Sequence, residues 1–215
     1  SRSKISSALL VIGALSVCGS TASAQNIIAN PGFESVPSSP PMDWQFTPPS
    51  ITRDNSNPRT GSWDANLEQS TPGGNTNTFQ QTPVGSVTPG EQYTLSYYIE
   101  YDGVGGGIGQ VQTEFMNSTG GVLGAPSFVN YFGTSPNFGT AAGYQLETAT
   151  LTAPPDASAF YILVGAITGA NPGDTSHVFL DDVSVAPVPE PASVGLLALG
   201  ALAFTGRRRR SAANH

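Results

Sequence analysis

The sequence predicts an all-β fold, an antiparallel β-sandwich, on the basis of three observations. Helical periodicity is absent from the middle of the chain, where short runs of alternating apolar and polar residues occur instead. Turn-forming Gly, Pro, Asn and Ser separate these runs, as in "TPGEQ", "NSTGG" and "APPDAS". Residues 25–187, which contain all of the runs, have the length of a single domain.

Five strands are predicted from these runs, at 93–101, 111–117, 145–153, 160–167 and 177–185. In the first strand, alternation points Tyr97 towards the core and Tyr98 and Glu100 outwards. The glycine-rich segment 101–110 resembles a phosphate-binding loop only superficially, because such a loop precedes a helix and "VQTEF" is typical of a strand. We expect a hairpin loop at this position.

Residues 1–24 are predicted to form a cleavable secretory signal peptide. Arg2 and Lys4 precede an apolar run that is too short to span a membrane, and "ASA" at 22–24 supplies the small residues of a cleavage site. The single cysteine, Cys18, leaves with this segment, so the mature chain has no disulfide. Its core or a metal must then stabilise the fold.

The charge of residues 25–187 is strongly negative. Arg53 and Arg59 are the basic residues of this region, whereas every acidic residue of the chain except Glu190 lies in it. Such a surface repels nucleic acid, and no nucleic-acid partner is expected. It suits neutral, hydroxyl-rich ligands and hard cations such as calcium, which take oxygen ligands.

The sequence contains no recognisable catalytic motif. There is no Gly-x-Ser-x-Gly. Of the two histidines, His215 lies outside the domain at 25–187, which leaves His177 as the one candidate for a Ser-His-Asp triad. Acidic residues are numerous, but no spacing singles out a pair for glycoside hydrolysis. We expect a protein that is not an enzyme, with a polysaccharide-acting hydrolase or lyase as an alternative.

The last predicted strand carries an aspartate among apolar residues. Alternation places Asp181 on the same face as Phe179, Val183 and Val185. A buried carboxylate needs a partner, and a cation is one candidate, with Glu34 and the backbone carbonyls around Gly32 completing its oxygen shell. The other interpretation is that Asp181 is partly exposed or accepts hydrogen bonds from backbone amides.

Several segments match, in order, the galactose-binding-like jelly rolls. They are "NPGFE" (30–34), Trp44, "RTGSW" (59–63), "FQQTPVGSVTPGEQYTLSYYI" (79–99), "LTAPPDASAFYILVG" (151–165) and "FLDDVSV" (179–185). More closely, nearly all of the domain resembles the carbohydrate-binding modules that are appended to cellulases and xylanases. This resemblance implies a jelly-roll sandwich and a structural calcium shared by Glu34 and Asp181. Asp182 is the alternative ligand if the strand phase differs by one residue.

The resemblance also implies a carbohydrate site on a sheet face or at the loops of one end, built from aromatic rings and hydrogen-bonding groups. We expect Tyr98 and Glu100 on such a face, joined by Gln112 and Glu114 from a neighbouring strand. Trp63 is expected at a loop edge. Ordinary packing and solvated strand faces remain the alternative for each of these residues.

The C-terminal segment 188–210 combines three features. Pro189, Glu190 and Pro191 come first, then the apolar run 193–206, then Arg207, Arg208, Arg209 and Arg210. As a helix the run is about 21 Å long, short for a hydrocarbon core of about 30 Å. The arginines would stay cytoplasmic, with 211–215 as a cytoplasmic tail. The arrangement resembles the PEP-CTERM sorting signal of Gram-negative bacteria. Proteins of that family look like substrates of exosortase, a membrane enzyme.

Together these features predict an exported, non-enzymatic protein of the cell surface or extracellular matrix. Its expected partners are extracellular polysaccharide (exopolysaccharide), an exosortase-type sorting enzyme and, during sorting, the inner membrane. A structural or adhesive matrix protein without specific sugar binding is the alternative from another functional class.

Overall fold

The computed structural model describes residues 24–35, 43–47 and 51–189. The predicted signal peptide lies outside these residues except for Ala24, and the predicted sorting segment lies outside them beyond Pro189. Among the described residues, no helix has the length and apolar character needed to cross a membrane. The predicted membrane helix at 193–206 and the cytoplasmic tail at 211–215 fall outside the described part of the chain.

The described residues form ten strands in two five-stranded sheets, and every pairing between strands is antiparallel. The strands are β1 (Gln45–Thr47), β2 (Ile51–Asp54), β3 (Asp64–Gln69), β4 (Asn75–Gln81), β5 (Gln92–Val104), β6 (Ile108–Met116), β7 (Val122–Phe132), β8 (Gln145–Thr152), β9 (Ala159–Ile167) and β10 (Thr175–Pro187). Sheet A has the order β1-β4-β9-β6-β7, and sheet B has the order β2-β3-β10-β5-β8. The predicted all-β antiparallel sandwich is confirmed, and each of the five predicted strands is present.

Most connections cross from one sheet to the other. The glycine-rich segment is one of them, because β5 belongs to sheet B and β6 to sheet A. The expected hairpin loop is therefore wrong: both strands extend into the segment, and a short turn at 105–107 joins the two sheets. Gly105 in this turn has a φ of 64°, which favours glycine. A Cβ on Gly107 would lie 1.7 Å from the Thr175 carbonyl oxygen, so only glycine fits there.

The core lies between the sheets and follows the alternation of the long strands. Tyr97 points inwards as predicted, and its hydroxyl lies 2.7 Å from that of Tyr131 across the core. Phe160, Ile162 and Val164 of β9 are fully buried at every second position. Burial of apolar area at roughly 25 cal/mol per Å² is the main term that stabilises such a sandwich without disulfides.

The last strand departs from simple alternation at a β-bulge. Its pairing with β5 shifts register between Asp181 and Ser184, and Asp182 has a positive φ of 49°. One extra residue at a bulge reverses the side on which the following residues lie. Val183 and Val185 therefore face the core and are fully buried, and the prediction that they share a face with Asp181 is wrong.

Candidate functional site

The two sheets present outer faces of opposite character. We call the outer face of sheet A, formed by the outward side chains of β4, β9, β6 and β7, the open face. The outer face of sheet B lies beneath the loops 55–63 and 133–144 and is called the closed face. Contacts from Asn57, Thr140 and Tyr144 to acidic side chains of sheet B show how these loops cover it.

The open face carries apolar and polar side chains in parallel rows. Cross-strand pairing aligns residues that lie on the same side of a sheet. One row runs over four strands and contains Phe79, Leu163, Gln112 and Phe128. The next row contains Asn77, Gly165, Gln110 and Asn130, and Tyr161 pairs with Glu114 on the other side of the first row. Phe79, Tyr161, Leu163 and Phe128 thus form an apolar strip on this face, and amides and the Glu114 carboxylate lie beside it.

Aromatic rings supply the apolar part of this face. The ring centroids of Phe79 and Tyr161 are 5.7 Å apart, and both side chains are half-buried. Phe128 is 51% exposed. A Cβ on Gly165 would lie 2.4 Å from Asn77 Oδ1, so the glycine allows the Asn77 side chain to lie across the sheet. Exposed ring faces of this kind can pack against the apolar face of a pyranose.

Hydrogen bonds orient the polar groups beside the rings. Gln110 Nε2 donates to Asn130 Oδ1 at 2.8 Å, and Gln112 Nε2 donates to Glu114 Oε1. Burial, with a smaller contribution from Glu114, raises the pKa of Tyr161, so its hydroxyl stays protonated. Amides, a carboxylate and a phenol together offer both donors and acceptors, which is what a ligand rich in hydroxyl groups requires.

The closed face buries two acidic side chains, Glu100 and Asp64. Glu100 is fully buried, accepts a hydrogen bond of 2.8 Å from Asn57 Nδ2, and has its pKa raised by burial. Asp64 is also fully buried and accepts a hydrogen bond of 2.6 Å from the Tyr144 hydroxyl. Burial raises the pKa of Asp64 to about 7. A ligand in solution has no direct access to either carboxyl group.

Arginine side chains cover two aromatic rings that were predicted to contact sugar. The Arg59 guanidinium lies 3.2 Å from the centroid of the Tyr98 ring, and the Arg53 guanidinium lies 4.1 Å from that of Trp63. Cation–π contacts of this kind occupy one face of each ring. In this arrangement, that face of Tyr98 and that of Trp63 are not available for stacking on a pyranose.

The predicted sugar-binding residues are therefore divided between the two faces. The expectation that Tyr98 and Glu100 share a face with Gln112 and Glu114 is wrong, because β5 and β6 belong to different sheets. Gln112 and Glu114 lie on the open face. Phe79, Tyr161, Leu163 and Phe128 were not predicted as site residues. Alternation within 160–167 does point Tyr161 and Leu163 outwards.

The predicted metal ligands come together at the β10 bulge. A Cβ placed on Gly32 would lie 3.5 Å from both Asp181 Oδ1 and Asp182 Oδ1, and 3.8 Å from Glu34 Cγ. Asp181 is fully buried, and burial raises its pKa to about 6. Three acidic side chains thus surround one glycine.

Protein donors occupy the carboxylate oxygens of this cluster. Glu34 Oε1 accepts from the amides of Ser62 and Trp63 at 2.8 Å. Asp181 Oδ2 accepts from two amides of the same loop at 3.1 Å, and Asp182 pairs with Arg59 at 2.5 Å. Within the described part of the chain, no group of three His, Cys, Asp or Glu is arranged to hold a metal ion. These contacts fit the interpretation of Asp181 as an acceptor of amide hydrogen bonds, and the calcium site stays a prediction.

The sorting segment begins where the sandwich ends. Pro189 lies two residues beyond β10, whereas Glu190, Pro191 and Arg207, Arg208, Arg209 and Arg210 lie outside the described residues. A family model of the PEP-CTERM protein-sorting motif matches residues 187–210, which confirms the motif predicted from the sequence. The chain is thus an exported protein that carries a signal for exosortase sorting. No curated protein sequence matches it.

Solved structures with a similar fold include a phage tailspike and carbohydrate-binding modules. The enzymatically active domain of bacteriophage CBA120 tailspike protein 4 is 16% identical with a TM-score of 0.55, covering 76% of this chain and 21% of that one. TmCBM61, solved with β-1,4-galactotriose, is 18% identical with a TM-score of 0.49. The match covers 77% of this chain and 100% of TmCBM61. A family 16 carbohydrate-binding module is 14% identical with a TM-score of 0.49. The match covers 75% of this chain and 99% of the module. The chain has the jelly-roll fold.

Proposed function

We propose that this exported protein binds carbohydrate on its open face and carries no catalytic activity. The observation that supports the proposal most is the strip of Phe79, Tyr161, Leu163 and Phe128 with hydrogen-bonding groups on both sides. Binding sites for uncharged ligands combine apolar walls with a few oriented polar groups. The negative charge of the domain favours a neutral polysaccharide over an anionic one.

The chemistry of the open face supports binding rather than hydrolysis. Glycoside hydrolysis in most families needs two carboxyl groups on either side of the scissile bond. Among the described side chains of the open face, Glu114 is the one carboxylate. Its oxygen Oε1 accepts from Gln112 Nε2. His177 lies on the other sheet, where its Nε2 is 2.7 Å from Asn66 Oδ1 and its ring contacts Phe138 and Phe179.

The expected ligand is the extracellular polysaccharide that the protein meets after export. Residues 25–187 should be retained by the host's own exopolysaccharide and by neutral glycans on an array. Reducing ends should not appear when the same domain is incubated with that polysaccharide. Failure of retention on every glycan contradicts carbohydrate binding, and release of reducing ends contradicts the non-enzymatic part of the proposal.

A structural matrix protein is the second candidate, and the edge strand β7 favours it. Val122, Phe128, Val129 and Phe132 of this strand are all exposed, and β7 contains no charged residue. Uncharged apolar edge strands promote pairing with other chains. Sedimentation of residues 25–187 separates the candidates: self-association without glycan retention supports the matrix protein, and retention by a monomer supports the carbohydrate-binding protein.

Sorting is proposed to proceed through a membrane-anchored stage. The run 193–206 would lie in the inner membrane of a Gram-negative bacterium, with Arg207 to Arg210 on the cytoplasmic side. Exosortase would then act at the Pro189–Glu190–Pro191 triplet and direct the protein to the cell surface or matrix. Replacing the triplet by alanines should leave export intact and trap a slightly larger, membrane-bound form. Identical processing with and without the triplet contradicts this route.

A further inference from the structure

The last strand of the sandwich runs directly into the sorting motif. β10 ends at Pro187, which is also the first residue of the matched motif. Pro187 pairs with Tyr93 of β5, and the amide of Val188 still donates to the Gln92 carbonyl at 2.8 Å. The Pro189–Glu190–Pro191 triplet therefore begins at the residue after Val188, whose amide still bonds β5 in the described part of the chain.

The N-terminal segment holds the same stretch of β10 from its other side. The amide of Ile27 donates to the Val185 carbonyl at 2.8 Å. The Asn26 side chain donates to the Val183 carbonyl and accepts from the Val185 amide. With β5 on one side and this segment on the other, the end of β10 is fixed in the fold. The triplet is thus presented by a rigid base.

The tether between the domain and the apolar run is short. Six residue steps separate Pro187 from Ser193, and a fully extended chain spans roughly 20 Å over that length. The tether contains no glycine, and Pro191 biases the residue before it towards extended conformations. Whatever acts on the triplet must therefore lie close to the end of the sandwich.

We call this part of the sandwich the tail-side end, formed by residues 83–91, 153–158 and 187–189. Its turns are linked, because the amide of Gly85 donates to the Ser158 carbonyl at 2.8 Å and that of Ala153 to the Glu91 carbonyl at 2.9 Å. A cleft of about 630 Å³ opens beside it, between Pro187, Glu91 and the N-terminal segment. Val84, at the tip of one turn, is 56% exposed.

We propose that the tail-side end docks on the outward-facing surface of the sorting enzyme while the triplet is processed. This inference rests on the proposed exosortase route. The tail-side end has the exposed Val84, several prolines and two acidic residues, Glu91 and Asp156, and it contains no Lys or Arg. Anionic lipid headgroups attract basic side chains, so this chemistry favours a protein surface over the lipid surface as the partner.

Two exposed valines at opposite ends of the sandwich provide the test. Val84 lies at the tail-side end, and Val104, which is 51% exposed, ends β5 at the far end. The full chain is expressed in a host with exosortase, and the rate of conversion to the processed form is followed by pulse labelling and mass.

Val84→Glu should slow conversion severalfold, because a charge would be desolvated in the docked complex. Val104→Glu should convert at the native rate. Pro155→Glu, at the second turn of the tail-side end, should act like Val84→Glu.

A spacer identifies the cause. About 12 Gly and Ser residues inserted after Pro187 add a root-mean-square reach of about 19 Å and should make Val84→Glu and Val104→Glu convert equally. Equal rates without the spacer overturn the docking proposal, as does a Val84→Glu defect that persists with the spacer. Weaker membrane association of Val84→Glu in a host without the enzyme also overturns it, because the partner would then be the lipid surface. If the native chain converts independently of the triplet, the exosortase route itself fails.

Discussion

On the open face most outward side chains of sheet A remain in contact with solvent, whereas on the closed face two loops cover Glu100 and Asp64 of sheet B. Gln112 and Glu100 illustrate the contrast. Each points away from the core, but Gln112 is half-exposed and hydrogen-bonded to a neighbour on its own strand, and Glu100 is fully buried beneath Asn57. The direction of a side chain on a strand therefore does not determine its exposure; the loops above the sheet do.

This difference in loop cover predicts that the closed face contributes to stability and the open face to ligand binding. On the closed face, buried carboxylates and Arg–aromatic contacts join the loops to sheet B. Substitutions there should change the free energy of unfolding. On the open face Phe128 is 51% exposed and the hydrogen bond between Gln110 and Asn130 is exposed. Substitutions at such positions should change ligand binding and leave stability nearly constant.

The largest expected effect is the pH dependence that the closed face imposes. Burial raises the pKa of Asp64 from 3.8 to about 7. The unfolded chain releases this proton near pH 4 and the folded chain only near pH 7, so the free energy of unfolding falls as the pH rises between these values. The shift corresponds to at most about 4 kcal/mol before solvent screening reduces it.

Urea unfolding of residues 25–187 from pH 4 to pH 8, in the presence of chelator, measures this slope. Asp64→Asn keeps an acceptor for the Tyr144 hydroxyl and removes the titration of this group, so it should make the slope smaller. The slope that remains comes from Asp181 and Glu100, whose pKa values burial also raises. Glu114→Gln on the open face should leave the slope unchanged. A slope that Asp64→Asn leaves unchanged contradicts the burial of Asp64.

Calcium is the next largest expected effect. If Glu34 and Asp181 share a calcium, an ion that binds only the folded state adds about 2.7 kcal/mol at a hundredfold excess over its Kd. The melting temperature should rise with calcium, and Asp181→Ala or Glu34→Ala should remove most of the gain. Glu114→Ala, on the open face, serves as the control and should keep it. A melting curve of the native domain that chelator leaves unchanged contradicts the metal site.

A matched pair of asparagines compares the faces directly. Asn57 and Asn130 each take part in one side-chain hydrogen bond of 2.8 Å, the first buried on the closed face and the second exposed on the open face. Asn57→Ala leaves Glu100 buried without that donor and should lower the free energy of unfolding by about 1–3 kcal/mol. Asn130→Ala should change it by less than about 0.5 kcal/mol. Equal losses in denaturant unfolding would show that the closed face is no better covered than the open face.

The sequence predicted the fold more fully than the site, for reasons that particular elements show. β5 and β9 alternate apolar and polar residues, so their existence and their inward faces were predictable. β4, "NTNTFQQ", was not predicted, because its buried inward residues are polar: Gln80 bonds the backbone of Ala29 and Asp43 instead of packing as an apolar residue. Without β4 and β7, half of the strands of the open face were absent from the sequence-based description.

Pairing between distant strands accounts for the remaining errors. Alternation within β5 and β6 gives the direction of each side chain, but the assignment of these strands to different sheets depends on contacts that no local pattern encodes. The bulge at Asp182 turns the Val183 side chain towards the core, against the local alternation. It also depends on a distant contact, because the amide of Val183 donates to the Pro31 carbonyl. The tail was easier to predict, since its three features are adjacent in the chain.

The most direct test of carbohydrate binding on the open face compares two tyrosines of equal size, one on each face. Tyr161 lies on the open face beside Phe79, and Tyr98 lies on the closed face beneath Arg59. Affinity electrophoresis of residues 25–187 in gels that contain the host's exopolysaccharide measures retention of each alanine variant. We predict that Tyr161→Ala weakens retention by about tenfold, equivalent to about 1.4 kcal/mol, and that Tyr98→Ala retains native affinity. Loss of retention in Tyr98→Ala with native retention in Tyr161→Ala would contradict the assignment of the open face as the binding site.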